Sequence, residues 1–406
     1  MQKIRWNVFL GIFVTCVFIV LLLVRVEFFQ KHHAPPTNTA VSRSQVSQDT
    51  WMNIYQNNQK IGFVHRIFTP TESQFHFQET VMMEINMMGA TQALHIMTEG
   101  VLNRDMTIDS FNFTLNSSLF SFNARGNVLK NKLILFTGTP GTQEKTVIPL
   151  REIPHISGSI YDAAFHAGLE KNSTGRFSIF DPSTMALRTL QVTRNADEII
   201  PIMGKRILAK KFCADFMGAK NCAWMDTEGQ VLKETGLLGL TMEKTSREKA
   251  LDGIDRGASM DFTEIASVPV NIEINDAEKL RTIKIRVTGI NNTLFLDGDR
   301  QSYRNNILTI TRETIASGPA MNDHVAPEIS AFMKPSLLIQ SDSPLIRAQV
   351  EKIIKPADSV EQKARKIIGW VYRNIEKKPT LSVPNALEVL KNKSGDCNEH
   401  TVLAVA

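Results

Sequence analysis

From Trp51 to about residue 255, apolar and polar residues alternate in short runs, broken roughly every 8–12 residues by turn chemistry. A period of two sends successive side chains to opposite faces of an extended chain, so an apolar set patterned this way is buried by pairing strands. Residues 51–55, the triplet Asn57-Asn58-Gln59 and residues 61–68 read as a hairpin closed by Asn-rich turn chemistry. Residues 74–88, 92–102, 106–115, 119–123 and 128–136 continue the series, with a breaker predicted at Ala124-Arg125-Gly126-Asn127. A short helix is expected near 159–169, after which strands resume at 175–180, 186–193 and 205–216. The pattern predicts an antiparallel meander.

Composition narrows the class. Hydrophobic residues make up 43% and charged residues 21%, which excludes a disordered or collagen-like chain. The net charge of +5 is too small for a nucleic-acid-binding footprint, and no nucleic-acid partner is expected. Residues 346–393 carry eleven Lys/Arg against five Asp/Glu, a solvated helical face or an attraction to anionic partners. Four cysteines without a Cys-x-x-Cys pair argue against both a disulfide scaffold and a structural zinc site. No Walker loop or dinucleotide fingerprint is present, and neither a metal nor an organic cofactor is expected.

Lys3 and Arg5 precede an apolar run at residues 8–24, interrupted by Gly11, Thr15 and Cys16. At 1.5 Å per residue it spans roughly 26 Å, and Trp6 sits where an interfacial aromatic belongs. No small-x-small site follows, so an uncleaved signal anchor is expected, with a cleaved signal peptide as the alternative. The expected organisation is a cytoplasmic N-terminus (1–6), a transmembrane anchor (7–24) and a polar linker (25–49). An antiparallel β-sheet domain (50–255), a smaller β-module (256–340) and a helical region (345–406) follow. The protein would be single-pass, attached to the membrane through the N-terminal helix, with its body on the periplasmic side. His32-His33, isolated in the linker, reads as surface decoration.

Val81, Met82, Met83, Met87 and Met88 crowd one region near Phe111, Phe113, Phe120 and Phe122. They form either a greasy face for an acyl or lipid ligand or the core under a sheet. Cys213 and Cys222 would face the same side if their strands form a hairpin with an even-length loop. Opposed cross-strand pairs are not always close enough to bond, so this is a candidate disulfide only.

After Pro344 the period becomes helical. Asp358-Ser359 supplies a cap, and Lys391-Asn-Lys-Ser-Gly395-Asp396 forms a loop before Cys397, which opens a further apolar helix. Gly395 permits a sharp turn, and the free N–H groups at that helix start suit a nucleophilic thiolate and an oxyanion. The bland alternative is a structural cysteine on a core helix.

Three segments, Ile368-Gly-Trp370-Val-Tyr-Arg-Asn-Ile375, Asn385-Ala-Leu-Glu-Val-Leu390 and Lys393-Ser-Gly-Asp-Cys397-Asn-Glu-His400, resemble the transglutaminase-like cysteine hydrolase superfamily, in its bacterial membrane-anchored branch. The resemblance implies an α+β fold: an N-terminal transmembrane helix, a β-rich antiparallel region, then the helical first half of a papain-like domain. It implies Cys397 as the nucleophile, supported by Gly395 and Asp396, in acyl chemistry on the amide bonds of a protein, peptide or cell-envelope polymer. The family's catalytic His and Asp follow this helix, so the chain is expected to be an inactive fragment ending inside the catalytic domain. The rival expectation is a non-catalytic envelope binding module whose sheet captures an apolar or envelope ligand.

Overall fold

The computed structural model describes residues 47–87, 89–118, 120–138, 143–216, 219–253, 261–265, 267–289, 296–313, 330–380 and 382–406. The expected anchor at 7–24, the segment before it, most of the linker with His32-His33, and Met88 lie outside the described residues.

Alternation decides the strands. β1 (Gln48–Gln56), β2 (Gln59–Pro70), β3 (Gln74–Met87), β4 (Ala90–Asn103), β5 (Ile108–Ser117), β6 (Ser121–Leu129), β7 (Lys132–Thr137) and β8 (Glu144–Pro149) pair in sequence order. A short β9 (His155–Ile156) and helix α1 (Ile160–His166) follow. The chain then adds β10 (Thr174–Asp181), β11 (Ala186–Arg194), β12 (Glu198–Ile202), β13 (Lys205–Phe216), β14 (Ala219–Met225), β15 (Val231–Thr235) and β16 (Leu240–Thr245). β16 pairs with β1, which joins the two runs into one 16-stranded sheet with β8 and β9 at its ends. Every pairing in it is antiparallel except that of β9 with β10.

The hairpin at Asn57-Asn58 closes as expected, with both residues at positive φ (49° and 67°), the conformation that matches strand twist in a two-residue turn. The expected breaker at 124–127 does not break. β6 runs straight through it, because Gly126 lies opposite Phe111 and the Phe111 ring fills the space a Cβ would need, 2.2 Å away. Gly100, Phe111 and Gly126 share one register row with Phe77 and Leu135, alternating large and small side chains across the inner face.

The sheet curls around its inner face. Phe111 of β5 and Phe180 of β10, far apart in strand order, bring their rings within 5.3 Å, and Ile108 N–H donates to the Pro154 carbonyl at 2.8 Å. The enclosed core includes Phe77, Phe122, Phe180 and Phe212, with Ala163, Ala164 and Phe165 from α1. A second, smaller core lies on the other face of β13–β15. There β12 and the first half of β13 form a two-stranded ribbon whose Ile200, Ile202, Ile207 and Ala209 pack against Cys213, Cys222, Trp224 and Leu232. Cys213 and Cys222 are opposed in register and joined by a disulfide.

Beyond β16 come two short helices, α2 (Arg247–Leu251) and α3 (Phe262–Ile265). The described residues up to Ile265, together with Pro335–Ala406, form one compact unit, and Ala266–Lys334 a second. The second unit holds a three-stranded sheet of β17 (Thr282–Arg286), β18 (Gln301–Arg304) and β19 (Ile307–Thr311).

The C-terminal stretch corrects the expected fold class. Here α4 (Pro344–Ile353), α5 (Val360–Asn374), α6 (Ala386–Asn392) and α7 (Cys397–Val405) pack around Ile346, Val371, Ile375, Leu387, Val389 and Leu403. A two-residue parallel pair, β20 (Glu376–Lys377) with β21 (Ser394–Gly395), ties the loops together. These short helices belong to the same unit as the large sheet, and Val383 packs in the sheet's core. The molecule is chiefly a β-sheet protein with a small helical cluster, not a sheet region followed by half of a papain-like domain.

The expectation of a single-pass membrane protein is corrected so far as the described residues reach, and these do not include 7–24. Among the described residues no helix is long and apolar enough to cross a membrane. The longest, α5, has 15 residues and carries Glu361, Lys363, Arg365 and Lys366, whereas a span needs about 20 apolar residues.

Candidate functional site

The period of two splits the methionine cluster. Val81 and Met83 point inward and pack against the main core, and Phe111, Phe113, Phe120 and Phe122 are buried in it. Met82 faces outward and is 41% exposed; Met97 on β4 shares that face at 39%. Phe63 pairs with Met82 and Met82 with His95; in the next row Trp51 pairs with His65, His65 with Thr80, and Thr80 with Met97. Trp51 stacks on His65 with ring centroids 3.8 Å apart, and the Trp51 and Phe63 rings are 5.7 Å apart. His65 Nε2 lies 2.9 Å from the Asp49 carboxylate, which holds the imidazole against the indole. Both rings are half-buried and Met82 and Met97 lie on the same face, so the outer face of β1–β4 carries aromatic and thioether side chains.

Two residues further along the same strands the face turns polar. A concavity of about 260 Å³ is lined by His76, Gln78, Glu99, Ser110, Asn112, Arg125 and Asn127. It lies outside the row where Gly100 and Gly126 leave the inner face without side chains. The Arg125 guanidinium is 5.2 Å from the Phe136 ring centroid, which anchors its position at the edge of the concavity.

A third polar group is buried. Arg66 is 5% exposed inside the sheet. Its Nε donates to Glu79 Oε2 at 2.8 Å and its Nη1 to Glu234 Oε1 at 2.9 Å. Burial opposes the guanidinium charge, yet Glu234, Glu79 and Asp162 outweigh it and hold Arg66 well above its ordinary pKa. Burial pushes the Glu79 carboxyl up, offset in part by Arg66. Tyr161 on α1 is likewise pushed up by burial, with Glu234 adding to the effect. Sequence reasoning missed this cluster. The signal was there on β2, where Arg66 occupies the inward phase between Val64 and Phe68, and on β3, where Glu79 lies between Phe77 and Val81. Glu234 was hidden by a register shift between Trp224 and Met225, which lets Val231 and Glu234 both face inward.

At the C-terminus, Cys397 is an exposed free thiol at the first position of α7. Asp396 is the cap: its carboxylate accepts from the Asn398 N–H at 2.9 Å, and its own N–H donates to Glu399 Oε2 at 2.9 Å. Glu399 is buried, and that burial pushes its carboxyl up; the Ser382 hydroxyl donates to it and partly offsets this. Gly395 is needed because a Cβ there would stand 2.2 Å from Glu399 Cβ. His400 Nδ1 faces the Asp396 carbonyl at 2.7 Å. The helix start is therefore closed by its own carboxylates, and Asn398 N–H, one of the donors expected to receive an oxyanion, is already taken. Cys213 and Cys222 lie elsewhere, under the β12–β13 ribbon. Among the described residues no group of three or more His, Cys, Asp or Glu is placed to hold a metal ion.

No protein-family model matches the chain, and no curated protein is similar to it. One similar solved structure is a β-barrel-like protein of the domain of unknown function DUF1849 from Brucella abortus. It is 10% identical, with 50% of this chain and 96% of that one covered and a TM-score of 0.38. Another is a DUF1089 family protein from Pseudomonas aeruginosa, 10% identical, covering 43% of this chain and 90% of that one with a TM-score of 0.28. Likeness at this level carries no argument about activity. The transglutaminase-like resemblance is corrected: no family model supports it.

Proposed function

We propose that the chain is a non-catalytic binding module that captures an amphipathic ligand with an apolar chain on the outer face of β1–β6. The observation that carries this reading is the exposure of Met82 and Met97 (41% and 39%) on the same face as Trp51 and Phe63, a face continuous with the polar concavity. Thioether side chains are unbranched and polarizable, so they mould to irregular apolar partners. Alternate residues of a strand are about 7 Å apart, so the row through Met97 lies one step from the row through Glu99, Asn112 and Arg125. A polar head seated in the concavity would lay its chain over Met97 and Met82. Gln78, Asn112 and Asn127 supply neutral donors and acceptors there, and Arg125 a cation.

The test is calorimetric titration with laurate below its micellar concentration. Saturable binding is expected, and Met82→Gln with Met97→Gln should weaken it by about tenfold through lost apolar contact. Arg125→Gln should weaken laurate more than lauryl alcohol. Absence of saturable binding, or a double variant that binds like the parent, would sink the reading.

A further inference from the structure

We propose that the β12–β13 ribbon docks the protein onto an anionic lipid bilayer surface. One face of the ribbon is accounted for by the second core; the other is not. Ile199 and Leu208 are a cross-strand pair, each 57% exposed, and Met203 at the tip is also 57% exposed. Met203 and Gly204 form the turn with φ of 50° and 76°, so a large apolar side chain occupies a turn position that Asn or Gly ordinarily fills. The hydrophobic pattern is thus apolar on both faces, unlike a half-buried strand with one face in water.

Charge selects the occupant. From Ile199 to Ala214 the sequence contains Lys205, Arg206, Lys210 and Lys211 and no Asp or Glu. Glu198, at the base of the ribbon, is neutralised by Lys211 at 2.8 Å and accepts from Trp224 Nε1 at 2.7 Å. Lys210 stands over the Phe165 ring at 4.6 Å. Lys205 and Arg206 are exposed at the tip, and among the described residues neither has an acidic partner. Apolar side chains flanked by unpaired cations match an interface of apolar tails beneath anionic headgroups. A purely apolar protein groove would leave the cations unanswered, and an acidic protein surface would leave Ile199, Met203 and Leu208 unanswered. This inference stands apart from the proposed ligand face, which lies on other strands.

The experiment is hydrogen exchange on the whole chain, read at residues 198–210 so that attachment through any other segment does not register. Vesicles of phosphatidylcholine with phosphatidylglycerol should slow exchange there by about tenfold, and phosphatidylcholine alone should not. Lys205→Gln with Arg206→Gln should reduce the affinity of this segment for anionic vesicles by about thirtyfold, since each cation near such a surface is worth roughly fivefold. Ile199→Ser with Leu208→Ser, which keeps the charges, should also abolish the protection. Equal protection on neutral vesicles, no protection on either, or protection indifferent to both variant pairs would overturn the proposal. A dimer seen by light scattering and removed by Ile199→Ser with Leu208→Ser would overturn it too, assigning the face to a second copy.

Discussion

Arg66 is the cation that balances the carboxylates inside the sheet. It is shared by Glu79 and Glu234 and feels Asp162 as well. Removing it leaves carboxylates in a dry core without their counter-charge, so Arg66→Met should destabilise the fold by about 3–5 kcal/mol, measured by urea unfolding. Glu79 gives the opposite sign. Its folded-state pKa is raised by burial, so the native chain binds more protons than the unfolded one as pH rises above the ordinary carboxyl range. Stability contributed at this position is then present at low pH and lost as pH rises toward the folded-state value. Glu79→Gln, an uncharged isostere that still accepts from Arg66, should match the parent below pH 4.5, the ordinary glutamate value, and exceed it at pH 7. A Glu79→Gln variant less stable than the parent at pH 7 would show that the Arg66–Glu79 charge pair outweighs its desolvation.

At the scale of elements, two devices fix how strands meet the proposed ligand face. Gly62 on β2 lies opposite Met83, and a Cβ there would stand 2.1 Å from the Met82 carbonyl oxygen and 2.7 Å from Met83 Cα. That obstacle is backbone and cannot rotate away. Gly62→Ala should cost about 3 kcal/mol and displace β3 at Met82, weakening laurate binding together with stability. The second device is the disulfide between Cys213 and Cys222, nine residues apart, which staples β13 to β14 beneath the ribbon. By loop entropy its removal through Cys213→Ala with Cys222→Ala should cost about 2–3 kcal/mol in urea unfolding. It should also raise amide exchange in β12 before it does so in β3. The sequence supplied the parity that opposed these cysteines; whether the strands came near enough to bond depended on the pairing itself.

For the whole molecule, stability is unevenly spread between the two units. None of the described buried core residues lies within Ala266–Lys334, whereas β1–β7 contribute much of the main core. Amides of β17–β19 should therefore exchange by local opening, far faster than those of β3–β5, whose exchange should approach the global unfolding limit. Matching rates would mean the second unit unfolds only with the first. Much of the architecture was legible because an alternating chain admits few ways of burying its apolar phase. The β1–β2 hairpin, the short helix after β9 and the cap at Ser359 are all local chemistry, and local chemistry is written in neighbouring residues. The transglutaminase-like reading failed for the complementary reason: a Gly-Asp-Cys helix start is also a local pattern, satisfied here by the capping of Asp396 and Glu399. What only the tertiary structure decided were relations between distant strands. It closed β16 onto β1, curled β10 against β5, carried β6 through Gly126 by lending it the Phe111 ring, and turned Met82 outward while Met83 went in. Sequence fixes which residues share a face of a strand, but which face is covered is set by the strands that arrive from elsewhere in the chain.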